Sequence, residues 1–220
     1  MVIFGEVGEK MLQAFKNSLL QILVFLFVGA SLYSQTVTKK STETFESFLE
    51  RTKPPHSQIV DDIVVTQEWS KNNEAIICFD RYDEMVEGEA YPAIVGYLYW
   101  RVGKEEYHEI HISTFESDGG APEIRAVFFD RVYGENELVV ICAWPQLMHY
   151  DYGGTFYSVY FFRKPEHPAT QLSLDKDKRW SALFENQCDC TYRDGHKESA
   201  PFVHEAEVRA EITKLTKPHL

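Results

Sequence analysis

Basic residues are scarce in this chain: 22 Lys and Arg stand against 34 Asp and Glu, a formal net charge of −12. A surface of that sign repels phosphate backbones, which argues against nucleic acid as a partner. Strongly apolar stretches are short as well. The best of them, residues 19–28, is only about ten residues, half of what a bilayer-spanning helix needs. There are four cysteines, none of them near the N-terminus, so no lipid-modified cysteine is expected there. No Gly-x-Ser-x-Gly, His-Glu-x-x-His, Walker or Rossmann glycine pattern occurs, which removes the motif-bearing enzyme classes. Carboxylates converging from separate strands remain open to it. No low-complexity tract interrupts the chain, and a composition 44% hydrophobic and 14% aromatic is not that of a disordered protein.

What is present begins with an export signal. Lys16, the apolar 19–28 segment and the small-residue run Gly29-Ala30-Ser31 follow one another as the three parts of a secretory signal peptide. Met11 is the better start, since Met1 would add Glu6 and Glu9 to the basic region. Cleavage is expected after Ser34, with Ala30 and Ser31 as competing positions. The rival reading is an uncleaved anchor over residues 17–38. Gly29 to Gln35 is too polar for a bilayer centre, so membrane contact would arise only through an uncleaved segment. The protein is therefore expected to be exported, periplasmic or extracellular. The remaining length suits one core rather than two.

Residues 35–58 read as a mobile leader holding a short helix capped by Ser41, with Phe45, Phe48 and Leu49 on one face and Pro54-Pro55 ending it. Residues 59–220 read as a single β-rich domain. Strands are expected at 59–66, 75–80, 93–102, 106–114, 123–131, 137–143 and 155–163, separated by turn residues such as Gly103-Lys104, Gly134 and Gly153-Gly154. Connections this short do not hold crossover helices, so the sheet is antiparallel. Strands 75–79 and 137–143, apolar on both faces, belong in the interior of a sheet. A helix is expected over 175–185 with Trp180, Leu183 and Phe184 inward. Residues 200–215 fit strand or helix, and the boundary residues Ser199, Pro201, Lys214 and Pro218 favour helix. The fold class is α+β: a predominantly antiparallel sheet, sandwich or half-barrel like, with a short N-terminal helix and C-terminal helices.

Residues 128–140 resemble the strand–loop–strand unit of calcium-binding propeller repeats of the FG-GAP type, through Asp130, Gly134, Glu137 and Leu138. The central Asp/Asn ligands of that loop are missing and the spacing is one residue short, so the calcium role does not transfer.

Four groups are the candidates for chemistry. Asp80, Asp83, Glu84 and Glu87 form an acidic inter-strand segment that offers oxygen ligands without the spacing of a standard calcium loop. Cys188 and Cys190 with His196 supply three soft ligands where a closed site needs four. Disulfide bonding is the default in an oxidising compartment; Cys78 and Cys142, in similar apolar strands, either pair with each other or remain buried thiols. His108 and His111 are three apart, which on a strand sends them to opposite faces. The segment Trp144 to Tyr152, with His149, Tyr150 and Asp151, gathers rings and a carboxylate between two strands, as a sugar or peptide platform would.

The expected function is a non-catalytic binding or interaction protein for a protein, peptide or glycan, working through Trp144, His149, Tyr150, Asp151 and Tyr152, with no cofactor. The alternative is a small exported hydrolase using Asp80, Asp83 or Asp151. A hydrolase would show a deep pocket with converging carboxylates, one of them titrating high. A binding module would show a shallow aromatic patch.

Overall fold

The computed structural model describes residues 35–146 and 152–217. The expected signal segment lies outside the described residues. Two five-stranded sheets account for most of the rest. The first is a meander of β2 (Gln58–Thr66), β3 (Ala75–Val86), β4 (Glu89–Arg101) and β5 (Glu106–Phe115), with β1 (Thr36–Thr38) added along β5. The second is a meander of β6 (Glu123–Val132), β7 (Glu135–Gln146), β8 (Tyr152–Phe162), β9 (Gln187–Tyr192) and β10 (Lys197–Glu198). Every strand pairing within them is antiparallel.

The sheets pack face to face. Ile77, Phe79, Ile94, Leu98, Trp100, Ile110 and Ile112 of the first meet Leu138, Val140, Cys142, Trp144 and Phe162 of the second in one core. The other face of each sheet is covered by helix. α1 (Phe45–Thr52) sets Phe48 and Leu49 against Ile76, Cys78, Tyr99 and Tyr107. α2 (Lys178–Ser181) and α3 (Glu205–Thr216) cover Val139, Ile141, Val159 and Phe161 with Trp180, Val208 and Ile212. The result is a helix–sheet–sheet–helix sandwich. It explains why β3 and β7 are apolar on both faces: each has a layer above and below it.

Several expectations are corrected. The leader is packed: β1 pairs with β5, and α1 lies on the first sheet. Its N-cap is Thr44, whose hydroxyl accepts from Ser47 N–H at 3.2 Å, so the helix starts later than Ser41 implies. The acidic 80–89 segment is not a loop. The β3–β4 ladder runs to Val86 opposite Glu89, and the turn is Glu87-Gly88, both at positive φ (53° and 89°) as a tight hairpin requires. The 175–185 helix contracts to α2, and Leu183 is exposed while Trp180 and Phe184 are buried. After Ser181 the chain tightens into three-residue turns, and Asn186 at φ 57° redirects it into β9. The strand pattern of β9 and β10 was not anticipated. Of residues 200–215, those from Glu205 on are helical, in α3, and residues 200–204 lead into it without regular structure.

Residues 171–177 bind both sheets. His111 N–H donates to Leu172 O (2.9 Å) and Leu174 N–H to His111 O (2.8 Å) on the free edge of β5. Three residues on, Arg163 N–H donates to Asp175 O (2.9 Å) and Asp177 N–H to Phe161 O (2.7 Å) at the end of β8. Leu174 is buried in the core between the sheets.

Candidate functional site

The ring-rich segment does not present its tryptophan to solvent. Trp144 is 6% exposed in the inter-sheet core, and its indole N–H donates to Glu116 O at 2.8 Å. It sits on the same face of β7 as Val140 and Cys142, so strand alternation turns it inward. His149, Tyr150 and Asp151 lie outside the described residues. Tyr152 is half-buried, its ring 5.7 Å from Phe156 and 5.8 Å from Tyr192, which continues to His196 at 5.5 Å.

The cysteine group separates by use. Cys188 and Cys190, on one face of β9, are joined in a disulfide, and His196 faces Glu198 at 3.8 Å. Cys78 and Cys142 are buried free thiols in different sheets, the second of their two expected states. His108 and His111 do fall on opposite faces of β5. His108 is buried with its Nε2 3.1 Å from Gln171 O, and His111 reaches the Thr114 hydroxyl at 3.1 Å. Along β3, Asp80 is buried and Asp83 exposed on opposite faces, which prevents them from sharing an ion. Among the described residues no three His, Cys, Asp or Glu side chains converge on a metal position.

What the structure does assemble is a cleft of about 700 Å³ at the turn end of the β6–β7 hairpin. Tyr133-Gly134, both at positive φ (50° and 93°), make the turn, and this holds the Tyr133 ring out at 62% exposure. One edge of that ring meets Trp180 at 5.5 Å, and the Arg179 guanidinium lies 5.5 Å from its centroid. Asn136 fixes the adjoining wall, since its carbonyl accepts from the Trp69 indole (2.7 Å) and its amide donates to Glu68 Oε2 (3.1 Å). Arg163, Lys164, Pro165 and Glu166 line the opposite side.

Two of the four acids that line this cleft are in contrasting states. Asp177 is the N-cap of α2. One of its oxygens accepts from the backbone N–H of Arg179 (3.0 Å) and Trp180 (3.1 Å), and the other from Arg163 Nε (3.1 Å). Burial alone would raise its pKa, but the guanidinium and the backbone donors outweigh it and the net shift is downward. Glu137 is 4% exposed, and its Oε2 has no hydrogen-bond partner among the described residues. Burial first, and then the nearby Asp177 charge, push it up to about 7, against a smaller opposing pull from Arg163. Across the β6–β7 ladder it faces Asp130, which is paired with Arg209 at 3.2 Å. Asp130 and Asp177 are thus each held by a guanidinium, while Glu137 is not.

A second cavity of about 580 Å³ opens on the α1 side of the first sheet, lined by Pro54, Pro55, His56, Tyr82, Asp83, Val95, Tyr97, His111 and Thr114. Asp80 lies beside Val95 in the ladder, buried, and raised by that burial. His111 is lowered by burial, so it is the neutral imidazole that faces this cavity at neutral pH.

Glu137 was missed as a site residue although the sequence marks it. It starts a strand whose same-face positions, Val139 and Ile141, are apolar, so an acid there is out of pattern. No family model matches the chain, and no curated protein or solved structure matches it.

Proposed function

We propose that the protein is an exported, non-catalytic binding protein that holds a protein, peptide or glycan in the Glu137 cleft. The observation that carries this reading is the Glu137 carboxyl: buried, lining an open cleft, and with an oxygen that no group among the described residues satisfies. A buried polar atom without a partner is costly, and a ligand donor is one way to relieve it. The exposed Tyr133 ring beside it offers contact area at low entropic cost. Among the described residues no helix is long and apolar enough to cross a membrane.

The hydrolase reading draws on the same pair, since acids driven apart in pKa are how acid and base roles are divided. Against it, both Asp177 oxygens are occupied by the helix cap and Arg163, so the acid whose pKa is lowered is not free to activate water. The expected result is that immobilised protein captures a partner from the exported fraction, that Tyr133→Ala weakens capture at least tenfold, and that its melting temperature barely moves. Capture unchanged in Tyr133→Ala would put the binding surface elsewhere. Turnover of a peptide or glycan substrate, abolished by Glu137→Gln, would establish the hydrolase.

A further inference from the structure

We propose that the cleft takes the cationic side chain of a basic peptide segment, an arginine or lysine presented by a protein partner, with the Glu137 carboxylate as its counter-ion. This rests on the binding reading above and names the chemistry of its ligand.

The charge balance of the cleft points that way. Asp177 is neutralised by Arg163 and Asp130 by Arg209, and a third guanidinium, that of Arg179, lies over the Tyr133 ring. Of the charged groups that line the cleft, Glu135, Glu137 and Glu166 then face Lys164 alone. An arriving cation meets a net negative wall on a protein of net charge −12, which also draws it in over distance. The unpartnered Glu137 Oε2 supplies a charge-assisted acceptor at the buried end. At the open end Tyr133 already carries one guanidinium, that of Arg179, and its ring chemistry suits another cation. At about 700 Å³ the space accommodates one long side chain with flanking peptide backbone. A sugar would satisfy the lone acceptor through a hydroxyl but would leave the net negative wall unmatched.

The groups facing Glu137 are Asp130 on β6 with its Arg209 partner from α3, Arg163 beyond β8, Asp177 at α2, and Lys164, Glu135 and Glu166 along the rim. Among the described residues no histidine lines the cleft. Binding a cation requires the ionised carboxylate, and burial holds Glu137 at about 7. Affinity is therefore expected to rise roughly tenfold between pH 6 and pH 8, as the competent fraction grows. Proton release accompanies binding at the lower pH.

The probes are acetyl-Gly-Arg-Gly-amide, its citrulline counterpart of equal shape without charge, and a neutral chitooligosaccharide. Each is titrated into the purified protein by calorimetry and followed by amide resonances. The expected result is that the arginine peptide shifts the Tyr133, Glu137 and Lys164 signals and that citrulline binds at least tenfold more weakly. Glu137→Gln is expected to remove that difference, and Tyr133→Ala to weaken both peptides. Because glutamine keeps the shape of the side chain, a melting temperature at or above that of the parent shows the variant is folded. Equal binding of arginine and citrulline, or arginine binding unaffected by Glu137→Gln, overturns the inference. Sugar binding in the cleft without peptide binding overturns the cationic ligand and leaves the binding cleft standing. No response at the cleft to any probe at millimolar concentration overturns both.

Discussion

Glu137 sets a sign on the stability of the whole molecule. Below its ordinary value of about 4.5 both folded and unfolded chains hold the proton, so the residue is neutral in the balance. Between that value and about 7 the unfolded chain releases a proton that the folded one keeps, and stability falls as pH rises. Above 7 the penalty is constant. Glu137→Gln is expected to flatten this window and to stabilise the protein at pH 8 by roughly 1–2 kcal/mol, the shift being discounted for water in the open cleft. Urea melts of both proteins at pH 4.5, 6 and 8 check it; a parallel pH dependence in the variant contradicts the assignment. The residue scale is also where the sequence was least legible. Trp144 and Tyr152 were grouped by their nearness in sequence, yet strand alternation buries the first and half-exposes the second. Glu137, Arg163 and Asp177 come from three separate parts of the chain, and nothing in their spacing brings them together before the strands pair.

At the scale of elements, periodicity carried most of the information. Seven strands were legible because β-branched and aromatic residues alternate between clear turn residues. Where the reading fell short, the competing signal was local. The carboxylates of residues 80–89 looked like a loop, but each strand end there needs only its ladder hydrogen bonds and a two-residue turn. β9, with Cys188, Asp189, Cys190 and Thr191, has the right alternation with few apolar side chains to announce it. α1 has only eight residues and could not persist alone, so its stability must come from the sheet beneath it. Phe48→Ala is expected to cost about 3–5 kcal/mol, since its ring is fully buried against Tyr99 and Tyr107. Thr44→Ala, which removes only the cap, is expected to cost about 1 kcal/mol. Chemical denaturation of the two variants separates packing from capping; equal losses would mean that α1 is held by something other than its apolar face.

For the whole molecule, composition and pattern were enough to give an antiparallel α+β fold, and the two-sided apolar strands β3 and β7 implied layers on both sides. They could not say that the chain divides into two sheets after β5, because the 116–122 connection carries no pattern that distinguishes a sheet change from another hairpin. Export, cleavage and disulfide use are tested together by one measurement. Intact mass of the natively produced protein, alkylated under denaturing non-reducing conditions, is expected to match a chain starting near Gln35 with two labelled thiols, Cys78 and Cys142. An intact 19–28 segment would contradict cleavage, and four labelled thiols would contradict an oxidising compartment.

Residues 171–177 also fix an order of assembly. A segment hydrogen-bonded to His111 in one sheet and to Phe161 and Arg163 in the other can settle only after both have formed. Its tie from Gln171 to His108 spans 63 positions, a late and entropically demanding closure. Until it arrives, the edge of β5 beyond β1 is bare and the place of Leu174 is open to water. Without the seven-residue latch, a finished first sheet would offer an unpaired edge to its neighbours, and the latch covers that edge.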